Sequence, residues 1–371
     1  MNSSHDHVYM ARAIQMARRG FYTTHPNPRV GCVIVRDGEI VGEGAHLRAG
    51  EGHAEVNALA NAGDKAKGAE VYVTLEPCSH YGRTPPCSQA LIDAGVKRVV
   101  SAMEDPNPEV AGKGIKLLNS AGIETVTGVM QAEAESLNPG FLKRMRTGKP
   151  FVRSKIAMSL DGRTAMASGE SKWITSVDAR LDVQRLRASS DAILTGIETV
   201  LKDDPSLNIR LDELPIDIPV DVPQPLRVIV DSHLRMQHNA KMLSLDGKTM
   251  VFTTSADKKL AEKLENKGAS VVTVQKSNSH VALSAVLDYL AQQQINEVLV
   301  EAGSTLNGAL LQAGLIDELV IYVAPKLMGD NAKGLFHLPV LAKMSESVEL
   351  NITDIRSVGK DFRITATVEK P

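Results

Sequence analysis

Residues 30–44 read Val30-Gly31-Cys32-Val33-Ile34-Val35-Arg36-Asp37-Gly38-Glu39-Ile40-Val41-Gly42-Glu43-Gly44. The apolar run Val30–Val35 predicts a short buried strand. Asp37-Gly38 is a type I′ hairpin signal, and Ile40–Gly44 is the returning strand. Strands and helices alternate around this hairpin. Tyr9–Arg19 has helical apolar spacing, and Ala54–Ala62 reads as a second helix. A strand over Glu70–Leu75 and a helix over Cys87–Ala94 follow, then a strand over Val96–Met103 and a helix over Val110–Ala121. Thr125–Val129 is a further strand, and Ala132–Arg146 reads as largely helical despite Pro139. This alternation predicts a layered α/β domain. The basic stretch Arg144–Pro150, with Gly148 and Pro150, reads as a linker. It places one domain over residues 1–147 and a second over residues 148–371.

The second domain repeats the alternation. Strands are expected at Phe151–Met158, Ala192–Thr195, Arg227–Asp231, Thr249–Thr253, Ser270–Val274, Glu297–Glu301, Glu318–Ala324 and Phe362–Val368. Helices are expected at Ser176–Ala188, Ala256–Lys267, Ala282–Gln293 and Leu306–Ala313. The proline- and acid-rich segment Leu211–Pro225 reads as an exposed irregular loop. A chain of 371 residues suits two such domains.

Composition narrows the function. Hydrophobic residues make up 43% and charged residues 23%, which is globular rather than disordered. A net charge of −2 and 4% aromatics offer little to a polyanion or to stacked bases, so no nucleic-acid partner is expected. No apolar run reaches the ~18–20 residues of a membrane span, and the N-terminus has no signal-peptide core. A cytoplasmic protein with no membrane partner is expected. Cysteines stand only at 32, 78 and 87, and an odd number in such a chain argues against a disulfide framework. Cys32 lies in the apolar run and reads as a buried small hydrophobe.

Cys78 and Cys87 belong with His53-Ala54-Glu55. His53 opens a helix, Pro77-Cys78 closes a strand, and Cys87 starts another helix. One imidazole and two thiolates suit zinc and leave a tetrahedral position free, as a catalytic zinc requires. A His-x-Glu followed by Pro-Cys and a second Cys is the zinc-deaminase pattern, in which the Glu moves protons and is not a ligand. The usual second half is Pro-Cys-x-x-Cys, whereas the two cysteines here stand nine positions apart. Zinc would lower the pKa of its water toward ~7. Glu55 would carry that proton to a ring nitrogen and then to the departing amine. A structural zinc with His80 as fourth ligand, or no metal, are the alternatives on the residues alone.

The longer motifs are more specific. Pro77-Cys78-Ser79-His80-Tyr81-Gly82-Arg83-Thr84-Pro85-Pro86-Cys87 and His25-Pro26-Asn27-Pro28-Arg29-Val30-Gly31 resemble the bifunctional deaminase–reductase family of riboflavin biosynthesis. So do Lys155-Ile156-Ala157-Met158-Ser159-Leu160-Asp161-Gly162-Arg163 and Asp203-Asp204-Pro205-Ser206-Leu207-Asn208-Ile209-Arg210, and the similarity runs through nearly the whole chain. The resemblance implies a cytidine-deaminase-like three-layer domain and a dihydrofolate-reductase-like domain. It implies removal of the 2-amino group of 2,5-diamino-6-(5-phosphoribosylamino)pyrimidin-4-one. NADPH would then reduce the ribosyl side chain, giving 5-amino-6-(5-phosphoribitylamino)uracil. It makes His53, Cys78 and Cys87 the zinc ligands, Glu55 the proton shuttle, and Asn27, His46 and His80 the lining of the pyrimidine pocket. A homo-oligomer is also expected.

In the second domain, Glu297–Glu301 leads into Gly303-Ser304-Thr305-Leu306-Asn307-Gly308-Ala309. N–H groups at such a helix start can cradle a phosphate. Ala309-Leu310 stands where a Walker motif needs Lys-Ser/Thr, and no Rossmann Gly-x-Gly-x-x-Gly is present, so the loop alone reads as an ordinary strand–helix turn. The resemblance assigns Gly303 through Ala309 to NADPH, together with Ala157, Trp173, Thr199, Asp203 and Ser232. It assigns Ser171, Arg187, Leu207, Arg210 and Glu301 to the phosphorylated pyrimidine. On its own, Arg187 beside Arg180 and Arg185 reads as a solvated helix charge. The competing functional readings are a nucleoside or tRNA-base deaminase fused to a separate reductase, and a non-catalytic zinc protein.

Overall fold

The computed structural model describes residues 4–79, 86–108, 110–213 and 221–369. The chain divides into two compact units, Met1–Gly148 and Lys149–Pro371.

The first unit runs α1 (Ser4–Ala17), β1 (Gly31–Arg36), β2 (Glu39–Ala45), α2 (Ala54–Ala62), β3 (Glu70–Val73), α3 (Cys87–Asp93), β4 (Arg98–Ser101), α4 (Lys113–Ser120), β5 (Glu124–Thr127), α5 (Gln131–Leu137) and α6 (Pro139–Thr147). Its sheet order is β2-β1-β3-β4-β5. β1 pairs antiparallel with β2 and β3, whereas β3, β4 and β5 are parallel. The hairpin turn has positive φ at both Asp37 and Gly38, as a type I′ turn requires. Helices cover both faces of the sheet. Met10, Ala13 and Ala17 of α1 pack with Val33, Val35 and Tyr72, while Ala54, Ala58 and Ala62 of α2 pack with Cys32, Ile34 and Val71. Cys32 is fully buried in that apolar cluster.

The expected helix over Ala132–Arg146 is two helices. The chain leaves helical geometry at Asn138, and Pro139 opens α6 at a position where its missing N–H costs nothing. Asn138 fills the break by donating to the Arg29 carbonyl and accepting the Arg29 N–H.

The second unit is built on a nine-stranded sheet. Its strands are β6 (Phe151–Ser159), β7 (Ala192–Gly196), β8 (Leu226–Val230), β9 (Thr249–Thr253), β10 (Ala269–Thr273), β11 (Glu297–Val300), β12 (Glu318–Ala324), β13 (Leu350–Val358) and β14 (Asp361–Val368). The order is β10-β9-β8-β7-β11-β6-β12-β14-β13. The first seven in that order are parallel, and β14 and β13 add an antiparallel edge. The helices are α7 (Val177–Ala188), α8 (Ile197–Asp203), α9 (Lys258–Glu265), α10 (Leu283–Gln292) and α11 (Ser304–Gln312). Buried residues on both sheet faces form two clusters, as a parallel sheet requires.

β13 and the segment Leu211–Pro225 also depart from the sequence reading. β13 escaped it because its apolar residues, Ile352 and Ile355 among them, are exposed on an edge strand and give no buried-strand pattern. The segment Leu211–Pro225 is not simply an exposed loop. It opens with a 3-10 turn at Leu211–Glu213, and Val222 is buried in the core; positions 214–220 lie outside the described residues. The Gln224 amide pairs with both the N–H and the carbonyl of Ile209, which pins this return.

Candidate active sites

The site in the first unit begins with packing. Ala54, Ala58 and Ala62 recur every four residues along α2 and present a flat stripe to β2. Gly44 completes the fit: a Cβ there would lie 2.1 Å from the Ala54 carbonyl oxygen and 2.4 Å from the Ala58 nitrogen. This close approach sets the height of His53, the N-cap residue of α2, and of Glu55 in its first turn. Cys78 follows the end of β3, and Cys87 is the first residue of α3.

These three elements bring the ligand atoms of His53, Cys78 and Cys87 within 4.8 Å of one another. His53 Nδ1 lies 3.3 Å from Cys87 Sγ and 3.6 Å from Cys78 Sγ. The Cys87 backbone N–H donates to Cys78 Sγ at 3.3 Å. The helix start therefore serves the thiol of Cys78 directly. A hydrogen bond from Cys87 holds the Cys78 thiol well below the usual thiol range, with His53 and the Cys87 N–H adding to it. Ser88 N–H and Oγ both donate to the Cys78 carbonyl, fixing the residue's backbone.

Glu55 is 3% exposed. Burial pushes its carboxyl up to about 7, and the neighbouring Cys78 charge adds to the shift. Nitrogen and sulfur donors at this spacing fit zinc, and no fourth donor joins them among the described residues. His80 lies outside the described residues. Beside this group, the His46 ring meets the His53 ring edge-on at 5.2 Å. His46 Nδ1 contacts the Gly52 carbonyl at 3.1 Å, which makes it the N–H donor and leaves Nε2 to accept from Asn27 Nδ2 at 3.1 Å. Burial lowers the His46 pKa and favours this neutral form. The site thus adjoins a linked Asn27–His46 pair. Asn57 escaped the sequence reading: its amide holds the carbonyls of Ala45 and Gly52 on either side of His46. The only signal in sequence was an amide side chain on the face of α2 next to the ligand-bearing turn.

In the second unit a cavity of about 1520 Å³ opens beyond the carboxyl ends of β6, β7, β8 and β11. Parallel α/β sheets bind ligands at that edge. Ala157, Thr199, Asp203 and Ser232 lie on its wall, and so do Gly303 through Asn307, and Ala309. α8, unforeseen as a helix, carries Thr199 and Asp203. Gly308 is not on the wall. A Cβ there would sit 2.1 Å from the His337 carbonyl oxygen, so this glycine serves packing. Asn307 is buried; it accepts from Ser154 Oγ and donates to the Ala302 carbonyl, so its side chain shapes the turn. Ser232 Oγ accepts the Val281 N–H, and its carbonyl accepts from the hydroxyls of Thr253 and Thr254. Trp173 is 63% exposed, with the Arg180 guanidinium 4.5 Å from its ring centre.

Ser171, Arg187, Leu207, Arg210 and Glu301 also line the cavity. Arg187 is not a solvated charge. Its Nε and Nη2 grip Glu301 at 2.6 and 3.1 Å, and its Nη1 donates to the Asn208 carbonyl at 2.9 Å. Lys155 Nζ lies 3.1 Å from the same carboxylate. Burial pushes Glu301 up, but Arg187 and then Lys155 outweigh it and leave the group well below the usual carboxylate range. Two cations around one anion leave this end of the cavity with net charge +1. Arg210 turns toward Glu213 at 2.8 Å, an exposed and easily exchanged pair. Leu207 is buried with φ of 45°, a left-handed backbone at a branched residue on the cavity wall. Lys155 was quoted only as part of a motif. Its signal in the sequence was a charge at alternate positions of a central strand, a pattern it shares with Arg153.

Residues 150–364 match the family described as RibD C-terminal domain, and residues 3–103 match the cytidine and deoxycytidylate deaminase zinc-binding region. The riboflavin biosynthesis protein RibD of Escherichia coli K12 is 55% identical over 96% of this chain and 97% of its own length. Its namesake from Haemophilus influenzae is 50% identical over 98% of both chains. A solved RibD from Acinetobacter baumannii superposes with a TM-score of 0.91 at 48% identity, covering 99% of each chain. A Thermotoga maritima structure described as a diaminohydroxyphosphoribosylaminopyrimidine deaminase/5-amino-6-(5-phosphoribosylamino)uracil reductase gives 0.85 at 31% identity, covering 98% of this chain and 99% of that one.

Proposed function

Because the chain belongs to the RibD family of riboflavin biosynthesis proteins, we propose that its two sites divide two successive steps on one phosphorylated pyrimidine. The enzyme is bifunctional: a zinc-dependent deaminase acting on 2,5-diamino-6-(5-phosphoribosylamino)pyrimidin-4-one, and an NADPH-dependent reductase forming 5-amino-6-(5-phosphoribitylamino)uracil. The observation that carries the residue-level reading is one imidazole and two thiols converging beside a buried carboxyl that is not one of them.

His53, Cys78 and Cys87 would hold the zinc. When bound, zinc supplies the Lewis acidity that activates water at neutral pH. Glu55 would move two protons: the one released as water adds to the ring carbon goes to the ring nitrogen, and the one from the resulting hydroxyl goes to the amine, which leaves as ammonia as the carbon–nitrogen bond breaks and the carbonyl forms. Asn27 and His46 border the pyrimidine, with His46 kept neutral and oriented by Gly52. In the reductase unit NADPH supplies the hydride. The N–H groups of the Gly303 turn would receive its phosphates, and Ala157, Trp173, Thr199, Asp203 and Ser232 would border the rest of it. Ser171, Leu207 and Arg210 position the substrate against it, and the Arg187–Glu301–Lys155 cluster presents net positive charge to its phosphate.

The charge balance and low aromatic content support small molecules rather than nucleic acid as substrates. No helix among the described residues is long and apolar enough to cross a membrane. A cytoplasmic homo-oligomer completes the proposal, and the exposed Ile352 and Ile355 on edge strand β13 support self-association.

The test is Glu55→Gln, assayed for ammonia and NADPH together. Ammonia release should fall by about 10²–10⁴-fold. Reduction of pre-deaminated substrate should persist. Loss of both activities with zinc retained would refute the division of labour. Turnover of cytidine or tRNA by the wild type would instead favour the nucleoside or tRNA-base deaminase.

A further inference from the structure

We propose that Glu76 is the positioning residue of the deaminase site, holding the Pro77-Cys78 backbone in register through the N-terminus of α4. This rests on the reading that Cys78 is a zinc ligand. Glu76 plays no part in the chemistry described above, yet it is a carboxylate only 3% exposed, two residues from Cys78. Its Oε1 accepts the N–H groups of Gly114 at 2.9 Å and Ile115 at 3.2 Å. Its Oε2 accepts those of Gly112 at 2.9 Å and Asp105 at 3.1 Å. All four donors are backbone groups, and three of them are at the start of α4, where N–H groups lack partners within the helix. The negative end of the side chain thus meets the positive end of the helix dipole.

Holding α4 has a direct consequence for Cys78. A Cβ on Gly114 would stand 2.0 Å from the Pro77 carbonyl oxygen and 3.2 Å from Glu76 Oε1. The α4 backbone therefore lies flush against the peptide that leads into Cys78. On the other side, Ser88 holds the Cys78 carbonyl and the Cys87 N–H meets its sulfur. Cys78 is clamped between the first turn of α3 and the anchored start of α4. Glu76 also ties its own N–H to the Met103 carbonyl at 3.0 Å, closing the end of β3 against the strand beside it. A side chain of another shape or charge at position 76 would let α4 lift and the Pro77 peptide rotate, turning the sulfur away from His53 and Cys87. Groups that orient metal ligands in this indirect way typically change metal affinity or activity by 10–100-fold when removed.

The experiment uses the full chain with cobalt(II) replacing zinc. Glu76→Gln keeps the size but replaces one acceptor oxygen with an amide that faces two N–H donors. It should alter the cobalt ligand-field bands, speed metal release to a chelator by at least about 10-fold, and lower deaminase kcat by about 10–100-fold. Deaminase KM should stay within about two-fold, because no pyrimidine contact is touched, and reduction of pre-deaminated substrate should be unchanged. Gly114→Ala is the second variant. It leaves every carboxylate and every ligand in place but presses on the same Pro77 peptide, so it should shift the same bands; it decides alone if Glu76→Gln does not fold. Wild-type spectra and release rates in both variants, or in Gly114→Ala alone in that case, overturn the proposal. Cys78→Ser separates the underlying reading: if it keeps an unchanged cobalt–thiolate absorption, Cys78 is not a ligand, and the assignment of Glu76 falls with it for that distinct reason.

Discussion

The Glu301 cluster allows a prediction with a worked magnitude. Glu301→Gln keeps the side-chain shape and removes the one negative charge between Arg187 and Lys155. At an effective dielectric of about 20, unit charges ~3 Å apart attract by roughly 5 kcal/mol before desolvation is subtracted. Breaking such a buried group by removing one partner typically costs about 3–5 kcal/mol, because the cations stay behind unpaired. The reductase unit should lose that much stability at pH 6. The dependence on pH has a definite sign. Arg187 and Lys155 depress the folded-state pKa of Glu301 despite its burial. Its contribution is therefore complete above the unfolded-state value of ~4.3 and drains away as pH falls toward the lower folded-state value. Between pH 6 and pH 3 the gap between wild type and variant should narrow by about 1.8 kcal/mol, at 1.36 kcal/mol per pH unit below ~4.3. Urea unfolding of the full chain, followed by circular dichroism at both pH values, measures this. A loss below about 1 kcal/mol at pH 6, or a gap that stays constant down to pH 3, would show that Glu301 is not the ionised counter-charge of this cavity.

Three further outcomes are expected. Gly44→Ala forces a Cβ to 2.1 Å from the Ala54 carbonyl, so α2 must shift; overpacking of this kind costs about 1–3 kcal/mol, and melting temperature and zinc content should fall together. Arg180→Ala removes the cation over Trp173, a contact worth about 0.5–1 kcal/mol at an exposed site; NADPH titrations followed by the fluorescence of this single Trp should show a two- to five-fold weaker Kd, and an unchanged Kd would dismiss the stack as a cofactor platform. Asp161 accepts the N–H groups of Met328 and Gly329, and the Ser159 hydroxyl leads the hydrogen bonds that pull its carboxyl down to about 2. Asp161→Asn should speed hydrogen exchange at those two amides, while exchange rates matching wild type would mean the loop is held by other contacts.

Much of the fold was legible because its signals are local. The Asp37-Gly38 turn, the apolar run around Cys32 and the helix stop at Gly95 each depend on a few neighbouring residues. The metal group was legible for a different reason: His, Cys and Cys beside a Glu form a chemically restrictive set. Elements lacking an ordinary burial pattern were missed. The exposed edge strand β13 shows no buried face, and the short α8 lies between two sheet connections. Asn138 divided a helix that periodicity joined, because its partner, Arg29, lies 109 positions away.

Two α/β units and the grouping of His53, Cys78 and Cys87 as candidate metal ligands were readable from residue order alone. These follow from residue type and short-range order. Only the tertiary structure decided which charges are spent on one another. Arg187 read as a solvated cation until the fold brought Glu301 to it from 114 positions along the chain. Glu76 was one acidic residue among many until four backbone N–H groups closed around it. Gly44 and Gly114 were unremarked until α2 and α4 came within van der Waals reach of the strand ends beside them. The physical reason is common to all three. Electrostatic pairing and close packing act over a few ångströms in space, and only the folded chain sets which distant residues share those ångströms.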